Sequence, residues 1–355
     1  MPFTDKHDTV DDQVRVLNPL EIENWDSRLE HFPEANFFHG AAWARVLNST
    51  YGYQPMYFTT GEGNGIRSLL PVMEVDSWLT GRRGISLPFT DECEPLGVDA
   101  NSIGLLFVNA QIYAKQHAWK YLECRGGMAA LEQASASTSF YNHRLQMQPD
   151  EAALFARFDS SVRRAVRKAG QSQITIEFSQ SSAAISSFYD LLCMTRQRHG
   201  VPPQPFHFFS NIHRHILAQN QGWVVLARHG GIPVAGAVFL HSNKSVIYKF
   251  GASNAAFQHL RPNNLVMWEA IRRYAREGFS TLDFGRTELT NEGLRQFKLS
   301  WGTQERIIDY FRYDTQNNCF LINKNEDNGT LRQLFRSLPR FVSRLVGILL
   351  YKHIA

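Results

Sequence analysis

Residues 281–310 read TLDFGRTELTNEGLRQFKLSWGTQERIIDY. A short strand closes on Asp283, opens into a turn containing Gly285, runs through a charged loop and reaches an aromatic-flanked lysine, Phe297-Lys298. Strand ends that open into polar loops are where α/β proteins place their ligands. One acid, one arginine (Arg286) and one lysine delivered to so short a span point to an anionic or acyl-bearing substrate.

Upstream of this stretch, NNLVMWEAIRRYAREG has the spacing of an amphipathic helix, with Leu265, Trp268, Ile271 and Ala275 on one face. Before it, SVIYKFGAS is a strand. WVVLARH and VAGAVFLHS, joined by GGIP, are a hairpin. Helical spacing also covers residues 182–199, and an apolar-periodic segment spans 206–219. The first half has the same order. Residues 37–51 are helix-like, PMYFTT-GEGNG-IRSLLPVMEV is a hairpin, GISLPF is a strand, 102–117 is apolar, and AWKYLEC is a closing strand. The match of QHAWKYLECRGG with REGFSTLDFGRT suggests a duplication; the alternative is a common α/β order recurring by chance. A duplication would put a ligand cleft between the halves. The expected divisions are a disordered lead at 1–13, domains at 14–150 and 151–318, and a basic tail at 328–355.

The 355 residues are 43% hydrophobic and 20% charged, ordinary for globular domains. A net charge of +4 permits anionic partners without demanding them. Cys93, Cys124, Cys193 and Cys319 form no CxxC pair, which fits a reducing cytoplasm better than a disulfide framework. The polar N-terminal stretch has no signal-peptide apolar core, and no apolar window is long enough to span a membrane. No HExxH or comparable metal signature accompanies the histidines, and no G-x-S-x-G elbow supports a serine hydrolase.

Several ordered motifs carry a family resemblance. In the second half they are Thr195-Arg196 with Arg198, Tyr248-Lys249-Phe250-Gly251, Arg261-Pro262-Asn263-Asn264, Asp283-Phe284-Gly285-Arg286 and Phe297-Lys298 with Trp301-Gly302. In the first half they are Phe37-Phe38-His39, Trp43, Tyr51-Gly52, Leu70-Pro71 and Ser86-Leu87-Pro88-Phe89. Over about residues 15–315 the chain resembles the FemAB-like branch of the GNAT acyltransferase superfamily, the peptidoglycan aminoacyltransferases and their relatives. It looks closest to the subgroup linked to exopolysaccharide and exosortase systems. The resemblance implies an α/β fold with mixed sheets, as two tandem GNAT-like domains. It also implies transfer of an acyl or aminoacyl group onto an amine of a cell-envelope or exopolysaccharide precursor. No tightly bound cofactor is expected. The implied donor is aminoacyl-tRNA, with acyl-CoA or an acyl carrier protein as the alternative. A non-catalytic scaffold of an envelope machine is the third reading. The chain departs from CoA-using relatives in one place. Their glycine turn before the central helix, whose bare amides cradle pyrophosphate, is replaced by HLRPNNLVMWEA, without a glycine. That disfavours CoA.

Acyl transfer to an amine needs a positive group aimed at the tetrahedral oxyanion and a proton acceptor. By the resemblance Lys298 fills the first role; otherwise it is a surface lysine covering Trp301. Asp283 is either the acceptor or a turn-former. Arg286 binds substrate phosphate or carboxylate, or pairs with Asp283 or Glu288. Arg196 and Arg198 are two apart on a helix, so at most one reaches the site; the resemblance favours a diphosphate contact there. Tyr248 is a pocket hydroxyl or a core aromatic, and Phe297 and Trp301 border substrate. Arg163, Arg164, Arg167 and Lys168 form a basic helical face within residues 150–173, suited to tRNA or lipid phosphate unless merely solvated. In the tail, Arg332, Arg336, Arg340 and Arg344 recur every four residues opposite an apolar side. Residues 331–354 therefore either lie on an anionic membrane or dock on the protein, with Pro339 starting or interrupting a helix. A cytoplasmic monomer or dimer, peripheral on the inner membrane face, is the expectation.

Overall fold

The computed structural model describes residues 13–127, 135–322, 333 and 335–354. Most of the expected lead, and Leu331, Arg332 and Leu334 of the tail, lie outside the described residues. The chain begins with β1 (Arg15–Leu17), α1 (Ala41–Tyr51), β2 (Gln54–Pro55), β3 (Tyr57–Thr60), β4 (Ser68–Leu70), β5 (Met73–Val75), β6 (Arg83–Ile85), β7 (Leu96–Gly97), α2 (Ala100–Gln116) and β8 (Tyr121–Arg125). Next come β9 (Thr138–Gln146), α3 (Glu151–Ala156), α4 (Ser160–Gly170), β10 (Ile174–Ser179), α5 (Ser182–His199), α6 (Phe206–His215), β11 (Gly222–His229), β12 (Ile232–Ser242) and β13 (Ser245–Ser253). It continues with α7 (Pro262–Arg276), β14 (Thr281–Glu288), α8 (Glu292–Leu299), β15 (Gln304–Asp314), β16 (Cys319–Phe320) and α9 (Arg340–Leu350).

These elements form two compact units. The first holds the described residues up to Ala44, Tyr53–Ser137 and Tyr310–Ile322; the second holds Arg45–Gly52, Thr138–Asp309 and the described residues after Asn323. The sequence divided the chain at 150/151 and kept 310–318 in the second domain. The structure instead assigns β9 to the second unit and the end of β15 to the first. Strand pairing over long sequence separation sets these memberships, and local periodicity does not report it.

In the first unit, β1-β3-β4-β7 form one sheet, and β8-β6-β5-β2 run beside one another with residues 310–314 of β15 on the outer side of β8. Phe58, Leu70, Leu106, Phe107, Trp119 and Leu122 build its core around α2. Gly84 is required there, because a Cβ would collide with the Trp119 ring.

In the second unit the sheet order is β10-β11-β12-β13-β14-β9, antiparallel except for β13 with β14. One sheet face packs on α4 and α7 through Val166, Trp268, Ile271 and Phe239. The other packs on α5, whose Phe188 abuts Gly236. With helices on both faces, β12 is buried almost throughout, which explains its continuous apolar run. The turn into β12 uses Gly230 and Gly231 at φ 57° and 79°. That is the hairpin geometry that needs two positive φ values.

The duplicated order reappears as geometry. In the first unit, Gly84 and Ile85 pair in parallel with Leu122 and Glu123. In the second, Val246 and Ile247 pair in parallel with Leu282 and Asp283. Each parallel pair is joined through a helix, α2 or α7, so Glu123 and Asp283 hold equivalent positions.

Two sequence expectations change. The basic segment 150–173 is not one helix but α3 and α4. Asp159 breaks the run and caps α4 by accepting the Ser161 N–H at 2.7 Å, as a short acidic side chain does at a helix start. The strand at Asp283 does not end there. It bulges and continues to Glu288, with Asp283 opposite Arg144 and Arg286 opposite Asn142.

Candidate functional site

β13 and β14 are hydrogen-bonded only from Ser245 with Thr281 through Ile247 with Asp283, after which the strands part. A register shift in β13 lies just beyond, opposite Val238 and Phe239. The β14 bulge begins at the same level, with Gly285 at φ 71°, where a side chain would be strained. Asp283 organises this bulge. Its carboxylate accepts the Gly285 N–H at 2.7 Å and the Asn142 amide at 3.1 Å, and the Arg144 guanidinium lies 3.7 Å away.

The bulge turns two carbonyls toward α8. Asn291 caps α8 by accepting the Leu294 N–H. Lys298 lies one turn beyond Leu294. It is only 3% exposed, and its ammonium donates to Gly285 O at 2.7 Å and Arg286 O at 3.0 Å. It is not a surface lysine. The sequence placed it on a loop; it comes from a helix, whose rigidity fixes the ammonium at the opened strand pair.

A second polar group adjoins it. The His143 ring is buried on β9 and its Nε2 lies 2.9 Å from Glu305, which also holds Arg295 at 2.8 and 2.9 Å. Burial, then the Lys298 charge, hold His143 below its ordinary value, so it stays neutral near pH 7. No local sequence signal marks Asn142, His143 or Arg144. Asn142 and Asp283 are 141 positions apart and meet only through strand pairing.

Two cavities meet at the N-terminus of α7. The first, about 500 Å³, is lined by Thr195, Arg198, His199, Tyr248, Arg261 and Asn263 among others, and by Leu294 and Phe297 of α8. The second, about 590 Å³, is lined by Arg164, Lys168, Gln296 and Ser300 among others. Arg261, Asn264 and Phe297 line both. Among the described residues neither wall contains a carboxylate, while Arg198, Arg261, Arg164 and Lys168 supply cations. Both cavities are lined wholly by the second unit, not by a cleft between halves.

The remaining candidates separate clearly. Arg198 lines the first cavity; Arg196 is not among its lining residues. Ser181 caps α5, and Gly200 at φ 68° ends it, so the two arginines sit in the last turn. A left-handed glycine is the usual helix stop. Burial, then Arg198, Arg196 and Arg336, lower the His199 value. Tyr248 lines the cavity although burial pushes its hydroxyl up to about 12, so it remains a donor. Its OH leaves no room for a Cβ on Gly251. Trp301 is a core residue instead, fully buried against Phe158 and Phe297. Arg286 points outward, with its guanidinium 4.4 Å from the Phe140 ring centre. On α4, Arg164 and Lys168 face the second cavity, whereas Arg163 and Arg167 are not among its lining residues. Arg167 lies over the Phe155 ring.

Arg261 stands at φ 61°. That left-handed conformation costs a non-glycine residue roughly 1 to roughly 2 kcal/mol. Pro262 follows at the first helical position and has no N–H. Pro262 removes one amide donor and the turn has no glycine, which counts against an amide cradle for a CoA pyrophosphate here. Arg261→Gly is expected to raise stability by up to about 1 kcal/mol by relieving the strain. It should at the same time weaken binding of an anionic substrate, since it removes a cation shared by both cavities. Denaturant unfolding alongside substrate titration checks this, and parallel gains in both would contradict it.

Comparison with known proteins supports the geometry. Residues 156–299 match the family model for the acetyltransferase (GNAT) domain. Lipid II:glycine glycyltransferase of Staphylococcus saprophyticus is 35% identical over 89 residues, which cover 22% of this chain and 21% of that protein. The chain thus spans about a fifth of the length of that curated relative. The crystal structure of FemX aligns with a TM-score of 0.64 at 14% identity, covering 92% of this chain and 100% of that one. A tandem GNAT protein from the clavulanic acid biosynthesis pathway aligns with a TM-score of 0.55 at 9% identity, covering 89% and 99%. At such identities the two structures speak to the fold alone. The chain has a tandem GNAT fold, and residues 156–299, in its second unit, match the acetyltransferase (GNAT) domain.

Proposed function

We propose that the second unit transfers an aminoacyl group from aminoacyl-tRNA to an amine of a cell-envelope precursor. The observation that carries this reading is the buried Lys298 ammonium at the opened β13–β14 pair. Lys298 is not itself among the cavity-lining residues, but its neighbour Phe297 lines both cavities, whose walls carry cations and, among the described residues, no carboxylate. The acceptor nitrogen attacks the ester carbonyl carbon, forming the C–N bond, and the Lys298 charge stabilises the oxyanion. Collapse breaks the C–O bond. The ribose oxygen leaves with the proton that the amine gives up.

Asp283 acts as a positioning residue in this scheme. Both of its oxygens already accept hydrogen bonds, from Gly285 and Asn142, and through the bulge it orients the carbonyls that hold Lys298. Arg198 and Arg261 take the acceptor's phosphates, and Tyr248 donates a hydrogen bond within the same cavity. Arg164 and Lys168 track the donor's phosphate backbone along the second cavity. Support for the acceptor class comes from the partial match to a lipid II glycyltransferase. Support for a donor other than CoA comes from Arg261-Pro262.

Transfer assays with aminoacyl-tRNA, acyl-CoA and acyl carrier protein donors against nucleotide- and lipid-linked muropeptides test the reading. Transfer from acyl-CoA alone would refute the donor, and absence of transfer with every donor would leave a binding scaffold. Arg164→Ala with Lys168→Ala is expected to weaken tRNA binding and to lower the slope of log affinity against log salt by about 1–2. A fluorescence titration over a salt series reads both; an unchanged slope would place the tRNA elsewhere.

A further inference from the structure

We propose that α9 is the surface by which the second unit rests on an anionic lipid bilayer. The helix is docked, but the wrong way round for a core helix. Ser343 and Gly347, one turn apart, face the protein, and a Cβ on Gly347 would collide with the Pro203 carbonyl oxygen. Polar contacts hold it in place: Arg344 to Asp190 at 2.9 Å and to Cys193 Sγ at 3.3 Å, Arg340 to Gln197 at 3.2 Å, and the Tyr351 hydroxyl to Pro202 O at 3.1 Å. Pro339 stands immediately before this helix, and the described residues 333 and 335–337 on its other side are helical as well.

The outward face is apolar. Phe341, Leu345, Ile348 and Leu349 are 67%, 57%, 53% and 69% exposed, and their spacing puts them on one stripe; Ile354 beyond them is 54% exposed. A surface helix ordinarily shows solvent its charged side. The charge around the stripe indicates what covers it. Residues 330–355 contain no Asp or Glu, and Arg336, Arg340 and Lys352 are exposed beside the stripe. Apolar side chains flanked by cations suit an anionic lipid surface, where the side chains enter the interface and the cations meet the headgroups. Among the described residues no helix is long and apolar enough to cross a membrane, so α9 would lie along the surface.

The docking also ties this surface to the cavity. α9 grips Asp190, Cys193 and Gln197 of α5, the same helix that gives Thr195, Arg198 and His199 to the cavity wall. A bilayer held at α9 would keep that wall near lipid-borne molecules. This inference stands without the proposed reaction.

Co-sedimentation of the full chain with phosphatidylglycerol-containing vesicles, against phosphatidylcholine vesicles, tests it. Binding should favour the anionic vesicles by about tenfold or more and weaken at high salt. The triple variant Phe341→Ser, Leu345→Ser, Leu349→Ser should lose binding about tenfold or more while keeping the thermal unfolding midpoint, since all three side chains are exposed. Equal binding to both vesicle types, or retained binding by the variant, overturns the proposal. So does sedimentation velocity showing a dimer that the same substitutions dissociate, which would make a second copy the occupant.

Discussion

Lys298→Met is expected to lower the rate of transfer by about 10²–10³-fold, the usual consequence of losing one oxyanion donor. Methionine keeps the length and apolar stem but has no charge. On the proposed mechanism the loss should fall on kcat, with the KM for tRNA little changed, because the cations proposed to meet tRNA lie on α4. Sequence alone reads the residue as either an oxyanion donor or a surface lysine covering Trp301, with no part in holding the fold. The structure revises this. The ammonium also satisfies the Gly285 and Arg286 carbonyls in a buried place. Leaving them bare costs about 1–3 kcal/mol. Single-turnover kinetics below the variant's melting temperature, with denaturant unfolding in parallel, separates the two effects. A variant that is destabilised yet fully active would remove Lys298 from the chemistry.

Glu123→Ala should destabilise the first unit by about 3–5 kcal/mol, the range for breaking a buried ion pair from one side. Glu123 binds Arg125 at 2.8 Å and Arg312 at 2.5 Å, and Arg125 is almost fully buried. Removing the carboxylate strands that guanidinium. Burial by itself would raise the Glu123 value, but Arg125 and Arg312 outweigh it and bring it to about 2. Its ordinary value is 4.5. The contribution is therefore complete above about pH 4.5 and disappears as the pH falls toward about 2. Unfolding midpoints across this window should fall for the parent protein and change much less for the variant. Equal slopes would show that other carboxylates dominate.

Glu123 also explains why the open site belongs to the second unit. It and Asp283 end equivalent parallel strand pairs. In the first unit, Arg125 N–H bonds Ser86 Oγ and its guanidinium reaches the Leu87 and Thr90 carbonyls, while the Tyr310 hydroxyl donates to Asp91 O at 2.5 Å. The segment after β6 thus fills the space beside the strand pair. In the second unit the corresponding strands part beside a cavity, and the acid shapes a bulge.

Much of this was legible in residue order. Apolar spacing at Leu265, Trp268 and Ile271 marked α7, paired glycines marked the β11–β12 turn, and the two closing strands marked the repeat, because each signal is local. Phe297-Lys298 and Asp283 stood out as candidates for the same reason. The two halves' true limits did not, since β9 and β15 owe their places to partners far along the chain. Trp301 and Arg196 looked like site residues because composition cannot tell which side of a helix or turn meets a cavity. Arg261 drew notice as part of a family motif and as a lost glycine, not as a binding group, yet it lies on both cavity walls.

The repeated α/β order, the lysine after the phenylalanine and the loss of the glycine turn are all written in neighbouring residues, so the chain specifies them before it folds. Three further outcomes arise on folding. Lys298 is buried on the carbonyls of a bulge, Asp283 is held by Asn142 from 141 positions away, and α9 docks by its polar face. Those outcomes depend on which surfaces meet, and long-range strand pairing and helix docking set that.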